Sequence, residues 1–524
     1  MESGLTPTLL CPTASLLRRL REHIQRFQES SSLGLGLSPG TVAIPKEGWL
    51  EQPLDPFNAS DRRSFLQRYW ANDQHWASQD GPVFLHLGGE GSLGPASVMR
   101  GHPAALAPAW GALVIGLEHR FYGLSVPARG LDMAQLRFLS SRHALADVVS
   151  ARLALARLFN VSFSSTWICF GGSYAGSLAA WARLKVPGTP LGRLGRGNLD
   201  SGAPTSDNRN TLPAHSLPHI FLSPRRAFQR VECIEGGNLL KTSIYPHLIF
   251  ASVASSAPVQ AVLDFSEYNE VVSRSLMSVA IGGSPEVGNG AQSKCREAAS
   301  AAFSEVERRL RAGRTTQAAL RADLGACGSL NRAEDQAELL GALQALVVIH
   351  SLGQKCLSFS RAETVAQLRV TEPQESGVGD RQWLYQTCTE FGFYVTCEDP
   401  RCPFSQLPAL PSHLELCEQV FGLSASSIAQ AVAQTNSYYG GQTPGATQVL
   451  FVNGDTDPWH VLSVTQALGS SKSVLLIPGA SHCLDMASES PADSLSLRQG
   501  RQIIFQQLQT WLRLAKNIQV RGGI

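Results

Sequence analysis

Charge is what this sequence has least of. Only 16% of its 524 residues are Asp, Glu, Lys or Arg, and they leave a net charge of +2. With no basic stripe either, the electrostatic footprint of a nucleic-acid binder is missing. Long apolar runs are missing too. The longest candidate, Leu339 to Ile349, is broken by Gly341 and Gln344 and suits a core helix, so no membrane span is expected. No two cysteines have the C-x-x-C spacing, and the cluster Cys388, Cys397, Cys402 and Cys417 fits no zinc pattern. Neither a metal nor a cofactor is therefore expected. Residues 1–12 contain Glu2, Pro7 and Pro12 and lack the basic and apolar regions of a secretory leader, while Leu16 to Phe27 reads as a helix of the mature protein.

What is present is the composition of a large globular protein. With 43% hydrophobic residues, the chain can bury one big core carrying an insertion, or two cores. Eleven cysteines point to a disulfide-bearing secretory or lysosomal protein. The sequons Asn58-Ala59-Ser60 and Asn160-Val161-Ser162 agree, making Asn58 and Asn160 the expected glycosylation sites.

One short stretch organises the chain: Trp167-Ile168-Cys169-Phe170-Gly171-Gly172-Ser173-Tyr174-Ala175-Gly176. It reads as a buried strand, a sharp turn carrying Ser173, and a helix running to Lys185. Glycines allow such a turn to be strained and to lift a serine hydroxyl clear of a sheet, as in the G-x-S-x-G nucleophile elbow. The fifth position here is Ala175, so the match is imperfect.

Around this stretch, apolar strands alternate with helical patterns. Pro82–Leu87, Ala112–Leu117, Leu248–Ala254, Gln448–Val452 and Ser473–Ile477 read as strands, and Leu131–Leu158 and Leu497–Leu514 as helices. That alternation predicts a parallel α/β sheet covered on both faces. Residues 53–76 read as an irregular entry with one short helix. Between Phe265 and Gln434 the chain turns mostly helical, with amphipathic stretches at Gln292–Leu310, Ala333–Ile349 and Ser424–Gln434. Residues 188–245 form a 58-residue stretch without periodicity, where ~2–6 residues would be ordinary. It reads as translated intron or alternative-splice sequence, with a surface loop as the rival.

A carboxylate and a histidine each follow a late strand: Asp457 after Gln448–Val452, and His482 after Ser473–Ile477. The order Ser…Asp…His is that of α/β hydrolases. A serine hydroxyl becomes nucleophilic only when an imidazole can take its proton, and a carboxylate must hold that imidazole's tautomer. Ser173 is thus expected as nucleophile, His482 as general base and Asp457 as orienting acid. Asp455 and His460 are the alternatives, the first disfavoured by Pro458 after Asp457, the second by lying on the acid's own loop. The oxyanion hole is expected from the N–H of Tyr174 and the Gly88–Gly91 loop, with Gly89 as the assigned donor. Glu90 could bind a substrate amine, though a solvated loop carboxylate is the plainer reading. Trp459 either lines the substrate site or simply packs. His119 and Arg120 are expected to tie a strand exit to nearby carboxylates, and Cys169 to be core.

Gly-Gly-Ser-Tyr at 171–174, Glu-His-Arg-Phe-Tyr-Gly at 118–123, Asn-Gly-Asp-Thr-Asp-Pro-Trp at 453–459 and Ser-His-Cys-Leu-Asp at 481–485 carry a resemblance. They resemble the serine peptidase family of lysosomal Pro-X carboxypeptidase and dipeptidyl peptidase II, from about Ala14 onward and omitting 188–245. The resemblance implies an α/β-hydrolase fold with an inserted helical cap domain, and a triad on the same Ser173, Asp457 and His482. It implies peptide substrates and endosomal or lysosomal residence. Through one similar member it implies peptide processing for antigen presentation in T-cell development. Two departures stand out. Ala175 replaces a common glycine, and Val347-Val348-Ile349-His350 joins segments more widely separated in relatives. The organisation expected is an atypical N-terminal segment (1–29), a first core part (30–264, with 188–245 an unstructured insert), a helical cap shortened near 346–350 (265–434), and a second core part (435–524). The function expected is a restricted serine peptidase. An esterase or lipase, or a non-catalytic splice variant, are the alternatives. The oligomeric state, a dimer included, is left open.

Overall fold

The computed structural model describes residues 44–185, 248–278, 293–324, 326–327, 330–343, 357–373, 379–399, 402–407, 409–467 and 472–521. Its centre is an eight-stranded sheet of β1 (Lys46–Pro53), β2 (Ser64–Asn72), β3 (Val83–Leu87), β4 (Leu113–Leu117), β5 (Trp167–Gly172), β6 (Ala251–Ser255), β7 (Val449–Gly454) and β8 (Lys472–Ile477). The order across the sheet is β1-β2-β4-β3-β5-β6-β7-β8. β2 runs antiparallel to both β1 and β4, and every other pairing is parallel. This order and direction are those of the α/β-hydrolase fold.

The central strands are mostly apolar because both faces are covered. Phe84, Val114, Ile168 and Leu450 point to one side, where α1 (Gly101–Trp110) and the long C-terminal helix Leu495–Arg521 pack with Leu508 and Trp511. Their neighbours Leu85, Ile115, Cys169 and Phe451 point to the other, toward α2 (Ser141–Leu158) and α3 (Tyr174–Lys185). The alternation follows from the two-residue period of a strand. α2 starts at the Ser140 cap and is followed by Asn160 in the left-handed region.

Residues 53–76 do not form an irregular entry with a short helix. They complete the hairpin of β1 and β2, in register from Lys46 opposite Ala71 to Pro53 opposite Ser64. The polar residues on β2 hid it. Gln67 and Arg68 are 1% and 9% exposed, yet both face the interior. Gln67 accepts from Gln52 Nε2 at 2.7 Å and donates to Glu118 O at 2.8 Å, while Arg68 pairs with the buried Glu118 carboxylate at 2.6 Å. Buried polar groups are tolerated when paired in this way.

Between β6 and β7 lies a helical layer. Its described helices include α4 (Glu267–Ser278), α5 (Ser293–Arg311), α6 (Arg314–Asp323), α7 (Ala333–Leu343), α8 (Arg361–Leu368), α9 (Asp380–Gln386), α10 (Leu410–Phe421) and α11 (Ala425–Tyr439). Cys388–Cys417 and Cys397–Cys402 are disulfides within it, which accounts for a cysteine cluster without zinc spacing. The layer is fastened to the core through Trp181 of α3, whose ring stacks on Tyr439 at 3.9 Å and on Phe391 at 6.0 Å. Truncating so buried an indole to alanine costs about 3–5 kcal/mol. Among the described residues no helix is long and apolar enough to cross a membrane. The helix expected over Leu16–Phe27, the insert at 188–245 and the junction at 346–350 lie outside the described residues.

Candidate active site

Ser173 sits between β5 and α3 with φ +59°, a conformation rare for a residue with a side chain. Its surroundings hold it there. A Cβ on Gly171 would lie 2.1 Å from Ala175 O, and one on Gly176 would lie 2.6 Å from Ser255 O, so both positions require glycine. The Ser173 N–H donates to Ser255 O of β6 at 3.0 Å. Ala175 is accommodated by a glycine opposite: a Cβ on Gly89 would meet the Ala175 methyl at 3.3 Å. The close helix-to-strand approach thus falls on Gly176, and the methyl at 175 fills space left by Gly89.

Asp457 follows β7 and is fully buried. Its Oδ1 accepts from the Trp459 N–H at 3.0 Å and from His482 Nδ1 at 2.9 Å. Pro458 opens the 3-10 turn Pro458–Leu462, which points the Trp459 N–H back at the carboxylate. The two alternatives are engaged elsewhere. Asp455 accepts from the Gly479 N–H at 2.7 Å, and His460 Nδ1 donates to the Asp457 main-chain oxygen at 2.6 Å. Burial opposes a charge on His482, but the neighbouring Cys483 sulfur and the hydrogen bond to Asp457 outweigh it and hold the imidazole well above its ordinary range. Beneath the histidine, Asp485 Oδ1 accepts from Ser255 Oγ at 2.5 Å, and burial raises its carboxyl to about 6.

The Gly88–Gly91 loop runs against the start of α3. Gly88 donates its N–H to Leu117 O at 2.8 Å, whereas among the described residues nothing accepts from the N–H of Gly89. Glu90 follows, half-buried. Trp459 packs in an aromatic group with Phe265 (5.2 Å), Phe393 (5.3 Å) and Tyr268 (6.0 Å), and its ring lies 6.2 Å from that of His482. Helical layer and acid loop therefore meet at this tryptophan. Asn58, in the β1–β2 turn, and Asn160, after α2, are both exposed.

Arg120 forms the expected buried pair with Asp147 at 2.6 Å, and Cys169 is core. His119 differs from expectation: it meets the phenol of Tyr174, at 3.0 Å, instead of a carboxylate. Sequence reasoning missed Gln386, Glu390 and Asp485. Gln386 and Glu390 stand four residues apart but Gln386 lies 212 residues beyond Tyr174, and Asp485 is on the histidine's own loop; their burial marks them, and the sequence does not show it.

Three segments of the chain, residues 52–203, 240–347 and 327–504, match the family described as serine carboxypeptidase S28. The chain is 67% identical over 563 aligned residues to the thymus-specific serine protease of Homo sapiens, covering 98% of this chain and 96% of that protein. The protein of the same name from Mus musculus is 62% identical, with 97% and 96% covered. Lysosomal Pro-X carboxypeptidase of Bos taurus is more distant, at 24% identity with 88% and 87% covered.

Proposed function

The chain belongs to the serine carboxypeptidase S28 family and is a serine-type peptidase, and from that premise we propose that Ser173, His482 and Asp457 form its catalytic triad. The observation that carries this is the 2.9 Å bond between His482 Nδ1 and Asp457 Oδ1, with Cys483, the residue after His482, packed against Gly172, the residue before a serine held at a strained strand-to-helix turn. Donation from Nδ1 fixes the tautomer and leaves Nε2 as the base that takes the Ser173 proton. The serine oxygen attacks the peptide carbonyl, His482 passes the proton to the leaving amine, and water resolves the acyl-enzyme by the same route. The N–H groups of Tyr174 and Gly89 stabilise the oxyanion.

In this reading the helical layer, residues 265–434, caps a cleft in a core built from 30–264 and 435–524. Trp459 and Glu90 line the cleft, Trp459 against apolar parts of a peptide and Glu90 toward its amine. A capped site selects small peptides, which makes the enzyme restricted. The names of the relatives, one lysosomal and one thymus-specific, support a protease working in a lysosomal compartment of thymic cells, and our reading of its role there is peptide processing in the endosomal and lysosomal pathway for antigen presentation. Exposed Asn58 and Asn160 are glycosylated on that route.

The test is fluorophosphonate labelling of secreted protein followed by peptide mapping, with Ser173→Ala as control. Labelling confined to Ser173 is expected, together with cleavage of a peptide library. Absence of labelling in cooperatively melting protein would sink the triad, and turnover of acyl esters with none of peptides would sink the substrate class.

A further inference from the structure

Tyr174 is more than the residue after the nucleophile. Its phenol is buried and wedged between core and cap, and each hydrogen bond around it has one permitted direction. His119 Nδ1 lies 2.7 Å from Arg120 O, which can only accept, so Nδ1 carries the proton. Burial holds this imidazole down to about 4, so it is neutral and Nε2 is a lone pair. The Tyr174 hydroxyl therefore donates to His119 Nε2 at 3.0 Å. Its oxygen in turn accepts from Gln386 Nε2 at 3.0 Å, at the end of α9. The Gln386 amide is itself fixed, because its Oε1 accepts from the Tyr122 hydroxyl at 2.7 Å while its Nε2 also reaches Glu390 Oε2 at 3.4 Å. Trp383 and Phe391 of the helical layer close on the Tyr174 ring, at 5.7 and 5.3 Å.

From this geometry we infer that His119 and Gln386 are positioning residues, acting through the Tyr174 phenol on the Tyr174 backbone N–H. The inference rests on the triad proposed above. Tyr174 is the first residue of α3, so its N–H has no partner within the helix and is free to face the oxyanion. The peptide bearing that N–H is held on its carbonyl side, where Ser173 O accepts from the Ser177 N–H at 3.1 Å, and the Tyr174 side chain is the second point that can fix it. A side chain gripped from both sides fixes that peptide's orientation. Because one grip belongs to the helical layer, seating of the cap and alignment of the oxyanion donor become one event.

The experiment measures the rate constant for fluorophosphonate reaction at Ser173 in Tyr174→Phe and Gln386→Met, each with its melting temperature. Tyr439→Phe is the comparison. It removes another buried hydroxyl bond between the same layers, Ser141 Oγ to Tyr439 at 2.8 Å, without touching Tyr174. Both test variants should react about 10- to 100-fold more slowly, the range for a displaced oxyanion donor. Tyr439→Phe should stay within about twofold. The pH midpoint of the reaction, set by His482, should not move in any of them. Wild-type rates in folded Tyr174→Phe and Gln386→Met would overturn the inference, as would an equal loss in Tyr439→Phe or a displaced midpoint. Should Tyr174→Phe fail to fold, Gln386→Met decides alone. Wild-type protein that folds but never labels would instead refute the triad, so the two failures are distinguishable.

Discussion

Lowering the pH from 7.4 to 5.0 should destabilise this protein through histidines that the fold keeps neutral. His102 and His119 are buried, and desolvation holds both at about 4, against 6.5 when unfolded. A base depressed on folding contributes stability that is intact above the unfolded value and is lost as pH falls below it. At pH 5 the unfolded side chains are protonated and the folded ones are not. Each then costs about 2 kcal/mol, roughly 4 kcal/mol together. Asp485 works the other way. Its folded carboxyl, at about 6 against 3.8, takes up a proton on acidification and returns about 1.4 kcal/mol over the same interval. The histidines win, leaving a loss of about 2.5 kcal/mol. His86, His143 and His413, which are more exposed, add to the loss, while the raised imidazole of His482 and the burial-raised carboxyls of Glu390 and Asp147 subtract from it. A difference between variants is therefore the sharper test. Urea denaturation followed by tryptophan fluorescence at the two pH values should show His102→Asn losing about 2 kcal/mol less than wild type. An equal loss in both proteins, or no loss in wild type, would refute the reasoning.

Three further outcomes follow from the site and its support. Activity should fall as pH drops below the His482 midpoint, because the imidazole must be neutral to act as base and its neighbours favour the imidazolium, so in the proposed pathway the enzyme is fastest in the least acidic compartments; a pH–rate profile flat from pH 5.5 to 8 would contradict this. Asp457→Asn should fold normally yet lose on the order of 10⁴ in kcat, since an amide can present its N–H to Nδ1 and impose the wrong tautomer. Replacing Cys388 and Cys417 together by alanine should lower stability by about 3–4 kcal/mol, given the 29-residue separation they close, and calorimetry with and without reductant would read it.

Most of the sheet could be read from the sequence because the parallel strands are buried on both faces. Val83–Leu87, Leu113–Leu117, Trp167–Gly172 and Val449–Gly454 have few polar positions to confuse the pattern. The β1–β2 hairpin escaped for the opposite reason. Its inward residues include Gln52, Gln67 and Arg68, whose partners Glu118 and Asp147 stand up to 95 residues away. Read locally, they look like solvent-facing residues; only the assembled sheet shows them satisfied. Periodicity cannot register a hydrogen bond between distant residues.

The same limit explains the site. Ser173, Asp457 and His482 each sit at the end of a strand that sequence could see, so their order along the chain was enough to nominate them. The Tyr174 clamp joins residues 119, 174 and 386, and no motif spans that distance. The imperfect elbow belongs to the same class of problem. Ala175 departs from G-x-S-x-G only while the motif is treated as a string. In three dimensions the requirement is for one methyl's worth of space between the loop at Gly89 and α3, and either side can supply it. Gly89→Ala should then press on Ala175 across 3.3 Å and slow the fluorophosphonate reaction. Adding Ala175→Gly should restore the rate, at about 1 kcal/mol in helix propensity. A double variant no faster than Gly89→Ala would show that position 175 answers to something other than the loop it faces.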